Sequence, residues 1–113
     1  MSMPPRELQR VCFVLQVKAD RRDEYRERHA RVWPEMRDAL TAAGWHNYSL
    51  FLTPSGSVIG YLECVDFAAA LGAMEGTDVN ARWQREMAEF FEGLDGGRPD
   101  AGIVPLEEIF HLA

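Results

Sequence analysis

A chain of 113 residues holds one domain and is too short for two of ordinary size. Its 47% hydrophobic and 27% charged residues are the balance of a folded globular protein, well away from the low-hydrophobicity signature of disorder. Twelve Lys+Arg against eighteen Asp+Glu give a net charge of -6, which repels phosphate backbones and anionic lipid and argues against nucleic acid or a membrane surface as partner.

The arginines do gather toward the front, but Arg21, Arg22, Arg26 and Arg28 are interleaved with Asp20, Asp23, Glu24 and Glu27, which reads as a solvated helix face. Cys12 and Cys64 sit in apolar strand-like runs without the CxxC or partner-histidine spacing of a redox or zinc site, and are expected to be reduced, in a cytoplasmic protein. The opening MSMPPRELQR lacks the apolar core of a secretory signal, and residues 1–8 are expected to form a flexible arm before a single domain. No stretch approaches the roughly 18 consecutive apolar residues of a membrane span.

Val11 to Val17 is rich in β-branched and aromatic residues and nearly continuous in apolar character, the mark of a strand covered on both faces. Asp20 offers an N-cap, after which Tyr25, His29, Val32, Trp33, Met36 and Leu40 line one helical stripe. Pro34 has no N–H to donate and disfavours helical Trp33, so a break is expected there, with helix again to about Ala43 and His29 near the end of the first piece. Gly44 stops the helix. Tyr48, Leu50 and Leu52 then alternate as a second strand.

Thr53 to Ser57 has turn composition and leads into a β-rich run from Val58 to Cys64, making a hairpin. A helical region begins after Asp66, breaks near Gly76, and restarts from a Thr77 or Asp78 cap with the stripe Val79, Trp83, Met87, Phe90, Phe91 and Leu94. Gly93 to Gly102 reads as a Gly/Pro/Asp-rich loop, and the alternation from Leu106 to Leu112 predicts a last strand. The order β-α-β-β-α-β is that of a ferredoxin-like α+β fold, an antiparallel sheet with helices on one face. A first strand apolar on both sides then requires a cover for the second face, most simply a second copy in a dimeric α+β barrel.

Tyr25 and His29 stand four residues apart on one helix face and emerge side by side between helix and sheet. A histidine is the natural acid/base near neutral pH, and a helix C-terminus favours its charged form, although a satisfied core histidine fits the same position. Trp45-His46-Asn47-Tyr48 places aromatic and polar groups at a strand start, where they serve a pocket or simply pack. Trp83 is either core or a surface for stacking a sugar. Glu63 is either a partner that orients a histidine or a solvent-facing carboxylate. There is no phosphate-binding glycine loop, GxSxG or HExxH, so no cofactor is expected; His29, His46 and His111 lie too far apart in sequence to form a local metal site.

Taken in order, YxxxH (Tyr25, His29), WPE (from Trp33), HNY (His46 to Tyr48) and TDVxxRW (Thr77 to Trp83) resemble the L-rhamnose mutarotase family from about Gln9 onward. The resemblance implies a cofactor-free homodimer that interconverts the α and β anomers of a 6-deoxyhexose, L-rhamnose first and L-fucose the nearest alternative. It implies further that His29 is the proton donor and that Tyr25, Tyr48 and Trp83 contact the sugar. Members of that family typically carry a second Trp where this chain has Gln84, so an amide replaces a stacking surface at a position that bears on sugar identity. The same architecture hosts cofactor-free monooxygenases and haem-degrading enzymes, and a non-catalytic sugar-binding module is a third reading.

Overall fold

The computed structural model describes residues 8–92 and 103–113. The expected arm over 1–8, Leu8 excepted, the loop from Gly93 to Gly102, and Leu94 of the last helical stripe lie outside the described residues. Among the described residues three strands, β1 (Gln9–Gln16), β2 (His46–Leu52) and β3 (Ser57–Cys64), form an antiparallel sheet in the order β1-β3-β2, and four helices pack on one face of it: α1 (Arg22–His29), α2 (Pro34–Ala42), α3 (Phe67–Glu75) and α4 (Asp78–Met87). None is long and apolar enough to cross a membrane.

Strand alternation decides which side chains meet the helices. Val11 and Phe13 on β1 and Val58, Leu62 and Cys64 on β3 are buried beneath them, whereas Val14 and Phe51 on the other face are 45% and 59% exposed. Phe13 lies opposite Gly60, and its ring covers that glycine so closely that an added Cβ would stand 2.6 Å from Cε1 and Cε2. In the hairpin turn Gly56 has φ +92°, and a Cβ there would also meet the Val17 carbonyl oxygen at 2.6 Å. The turn therefore needs glycine on two grounds.

The expected break at Trp33 and Pro34 is present. Trp33 is extended at φ −54°, ψ 135°, and Pro34 opens α2 at a position where its missing N–H costs nothing. Asp66 and Thr77 cap α3 and α4 through hydrogen bonds from the amides of Ala69 and Asn80, both 3.3 Å. Asp20 does not cap α1: it sits within a short 3₁₀ turn, Ala19–Arg21, and α1 begins after Arg21 without a side-chain cap. The arginines of this stretch are paired on the surface, Arg21 with Glu24, Arg22 with Asp23 and Arg28 with Glu86, which is the solvated face that the interleaved charges predicted.

The predicted last strand differs. The chain leaves α4 through a 3₁₀ turn, Ala88–Phe90, and returns to β1, where the Glu92 amide donates to the Gln16 carbonyl and Phe91 bridges to Val17. Farther along the same edge Pro105 bridges to Phe13, the Leu106 amide donates to the Cys12 carbonyl at 2.7 Å, and Glu108 forms a bidentate pair with Arg10. This is the place of the fourth strand in a ferredoxin-like order, yet residues 106–112 form no ladder. Ile109, Phe110 and Leu112 are each more than three-quarters exposed. Alternation predicts a strand only where a neighbour supplies hydrogen bonds and a buried face, and within one chain this segment is hydrogen-bonded to the β1 backbone only at Leu106 and has no buried face.

Candidate active site

The space between helices and sheet opens into a cleft of about 660 Å³ and an adjoining recess of about 60 Å³. Together they fall within the usual range of small-molecule sites, roughly 300–1,000 Å³. Both are lined by His29, Tyr48, Leu50, Trp83, Gln84 and Ile103, so these residues stand where the two join. Tyr25 lines the recess alone, over buried Phe13 and Met87. All five residues singled out in the sequence, Tyr25, His29, Tyr48, Trp83 and Gln84, thus share one site although they come from α1, β2 and α4.

Aromatic packing sets their positions. The His29 and Tyr25 rings are 4.2 Å apart between centroids, as the four-residue spacing on a helix requires. Trp83 meets His29 edge-on at 5.4 Å and Trp33 at 5.1 Å, while Tyr25 abuts Phe91 at 5.5 Å. Tyr48 is wedged between Trp45 and Phe13. Each polar ring is therefore held by its apolar body, which leaves little rotameric freedom at its polar end.

His29 Nδ1 lies 2.9 Å from the Tyr25 carbonyl oxygen. A carbonyl only accepts, so Nδ1 carries the proton, and in the neutral ring Nε2 is an unprotonated acceptor. Burial pulls the imidazole below its ordinary value of 6.5, and the Tyr25 carbonyl offsets this only in part. The helix-end position was expected to favour the charged form. Desolvation outweighs it here, because the ring is half-buried against the Tyr25 and Trp83 rings. Burial likewise pushes the Tyr25 and Tyr48 phenols up, Tyr48 with a further contribution from Tyr25, so both stay protonated and can donate. Among the described residues neither phenol oxygen, nor His29 Nε2, has a protein hydrogen-bond partner.

Of the other residues considered in the sequence, Trp45 lines the cleft and is tied into the core, its indole N–H donating to the Ala70 carbonyl at 3.0 Å. Asn47 adopts φ +46° at an irregularity in the β2–β3 pairing and donates to Glu63, which also accepts from the Tyr61 hydroxyl. Glu63 is thus bound on the outer face, and a backbone carbonyl does the orienting of His29. Among the described residues no three His, Cys, Asp or Glu side chains gather as a metal site would require, and Cys12 and Cys64 are free thiols.

Ile103 and Asn80 are among the contributors that were not anticipated. Ile103 lines both cavities from the segment that follows the Gly-rich stretch, which no local pattern announces. Asn80, only 2% exposed, accepts a 3.0 Å hydrogen bond from the Gln84 side chain. Its signal was present: Asn80 precedes Trp83, Gln84 and Met87 by 3, 4 and 7 residues, which puts an amide on the buried stripe of α4.

The family model described as L-rhamnose mutarotase matches residues 10–112. The chain belongs to the L-rhamnose mutarotase family. The L-rhamnose mutarotase of Bacillus subtilis (strain 168) is 36% identical over 106 residues, covering 93% of this chain and 99% of its own. That of Escherichia coli (strain K12) is 30% identical over 103 residues, 91% of this chain and 97% of its own. Among solved structures, the L-rhamnose mutarotase of Formosa agariphila superposes with a TM-score of 0.74 at 23% identity, covering 93% and 99% of the two chains. A Nitrosomonas europaea protein named after the antibiotic biosynthesis monooxygenases follows at 0.60 and 12%, covering 97% of each chain. At those identities the likeness is one of fold, and it is the ferredoxin-like α+β fold expected from the element order.

Proposed function

We propose that this protein is a mutarotase that interconverts the α and β anomers of L-rhamnose, with L-fucose the nearest alternative substrate. Membership of the L-rhamnose mutarotase family supports the reaction class. The observation that carries the reading is the His29–Tyr25 carbonyl hydrogen bond, which leaves a basic Nε2 among two protonated phenols in a cleft of sugar size.

The anomeric oxygen O1 and the ring oxygen O5 are both bonded to C1, so one nitrogen can serve both. Nε2 takes the proton from O1; the C1–O5 bond breaks, its electron pair passing to O5, as C1=O1 forms. The imidazolium then delivers that proton to O5. After rotation about C1–C2, O5 adds to the other face of C1 while Nε2 carries its proton to O1. The cycle ends with the opposite anomer, a neutral histidine and no net proton change. Tyr25 and Tyr48 hold sugar hydroxyls, Trp83 covers the apolar edge that includes the C6 methyl, and Gln84 contacts the ring.

The active form is a homodimer whose interface is the outer face of the sheet. The exposure of Val14 and Phe51 there, and of Ile109, Phe110 and Leu112 on the tail beside β1, supports that reading. Free Cys12 and Cys64, on opposite faces of the sheet, suit a reducing compartment, and we place the protein in the cytoplasm.

The test is His29→Ala with saturation-transfer NMR of anomeric exchange. Loss of an acid/base group should slow exchange by about 10²–10⁴-fold, to the spontaneous rate, while sugar binding persists. Near-normal exchange in the variant would remove His29 from the mechanism.

A further inference from the structure

From the Met74 carbonyl to the edge of the cleft runs a chain of amides in which each group dictates the orientation of the next. Asn80 Nδ2 donates to the Met74 backbone carbonyl at 3.2 Å. The reversed amide would set two oxygens against each other, so the Asn80 amide has one allowed orientation and its Oδ1 points toward Gln84. Oδ1 can only accept, and Gln84 Nε2 donates to it at 3.0 Å. The Gln84 amide is thereby turned as well: its nitrogen is committed to α4 and its Oε1 is left over. Gln84 lines both cavities, and among the described residues its side chain makes no other hydrogen bond.

We infer that Asn80 is a positioning residue that holds Gln84 with its carbonyl oxygen toward the substrate, making this wall of the site an acceptor that selects a sugar hydroxyl. This rests on the proposed mutarotase reading and deepens it. An amide free to turn would accept any polar group; one locked through a backbone carbonyl takes only a donor. A methyl or the ring oxygen at that point would leave a desolvated carbonyl unpaired, so the sugar must turn one of its hydroxyls, and not its C6 methyl corner, toward α4. The Trp83 indole beside it supplies the apolar surface for that corner.

The experiment measures both the dissociation constant and anomeric exchange for L-rhamnose and its 2-, 3- and 4-deoxy analogues, with the wild type, Gln84→Met, Asn80→Ala and the double variant. Methionine keeps the length of glutamine without the acceptor. In the wild type one analogue should bind about two- to tenfold more weakly than L-rhamnose through loss of this hydrogen bond. Gln84→Met should erase that penalty, for that analogue alone. Asn80→Ala should erase it too, and should add nothing to selectivity in the Gln84→Met background, whereas a merely structural Asn80 would lower thermal stability and leave the ratio intact. Should Asn80→Ala not fold, Gln84→Met decides. Unchanged ratios in Gln84→Met, with wild-type exchange accelerated, would overturn the inference and leave the mutarotase reading standing. Hydroxyl-selective binding without accelerated exchange would do the reverse, and absence of both binding and exchange would overturn both.

Discussion

On the inner face of the sheet, polar side chains are few and backbone carbonyls orient them: Tyr25 turns His29, Met74 turns Asn80, and Ala70 takes the Trp45 indole. On the outer face, side chains pair with one another near solvent, Glu63 with Asn47 and Tyr61, Arg10 with Glu108. The difference lies in what each arrangement can specify. A carbonyl anchored in a helix cannot rotate or titrate, so it imposes a tautomer or an amide orientation on its partner. Exposed side-chain pairs keep their freedom and are screened by water, so they bring little beyond solubility and register.

Three measurements can break or sharpen that contrast. The largest effect belongs to the inner face at Gly60, where an added methyl collides with the Phe13 ring beneath the site. Gly60→Ala should cost about 1–3 kcal/mol, lower the melting temperature and distort the recess; an unchanged melting temperature would mean that the ring is free to move. Next comes Phe51→Glu on the outer face. A charge on this exposed position should leave the fold intact by circular dichroism while shifting the sedimentation of the proposed dimer to that of a monomer, and a persisting dimer would relocate the interface.

The smallest effect is a near absence of pH response where a free histidine would titrate. Because burial lowers His29 below 6.5, more than half of it is still neutral at pH 6.5, so exchange should change by less than about twofold between pH 8 and 6.5 and fall only below that. The stability linkage has the same sign: the unfolded chain binds the proton first, so stability is lost as pH falls from the unfolded value toward the lowered folded one. A midpoint at or above 6.5 would mean that the charged form is favoured at the helix end after all.

Much of the fold was legible because the local signals agree with one another. Pro34 after Trp33, the caps at Asp66 and Thr77, and the Thr53 to Ser57 turn each act over a few residues, and the structure shows each where it was read. Asp20 misled because a cap competes with the 3₁₀ turn that the backbone makes ahead of α1. The last strand misled for a different reason. Leu106 to Leu112 has the right alternation, but pairing belongs to two strands, and within one chain β1 engages this segment only at its start.

The candidate site divides in the same way. Tyr25 and His29 were legible as a pair because helical spacing alone brings them together. That Tyr48, Trp83 and Gln84 join them was implied by motif order and not by any periodicity. Asn80 stood in the open within the Thr77 to Trp83 motif, yet an asparagine on a helix reads as a surface residue until its 2% exposure is seen.

Sequence by itself determined the helix breaks and caps, the helix-side stripe, the strand faces and the pairing of Tyr25 with His29, because these depend on residues at most a few positions apart. Tertiary structure alone decided the tautomer of His29 and the direction of the Gln84 amide. Both turn on burial and on single carbonyl oxygens brought within 3.2 Å by packing, and electrostatic free energy changes over just such distances.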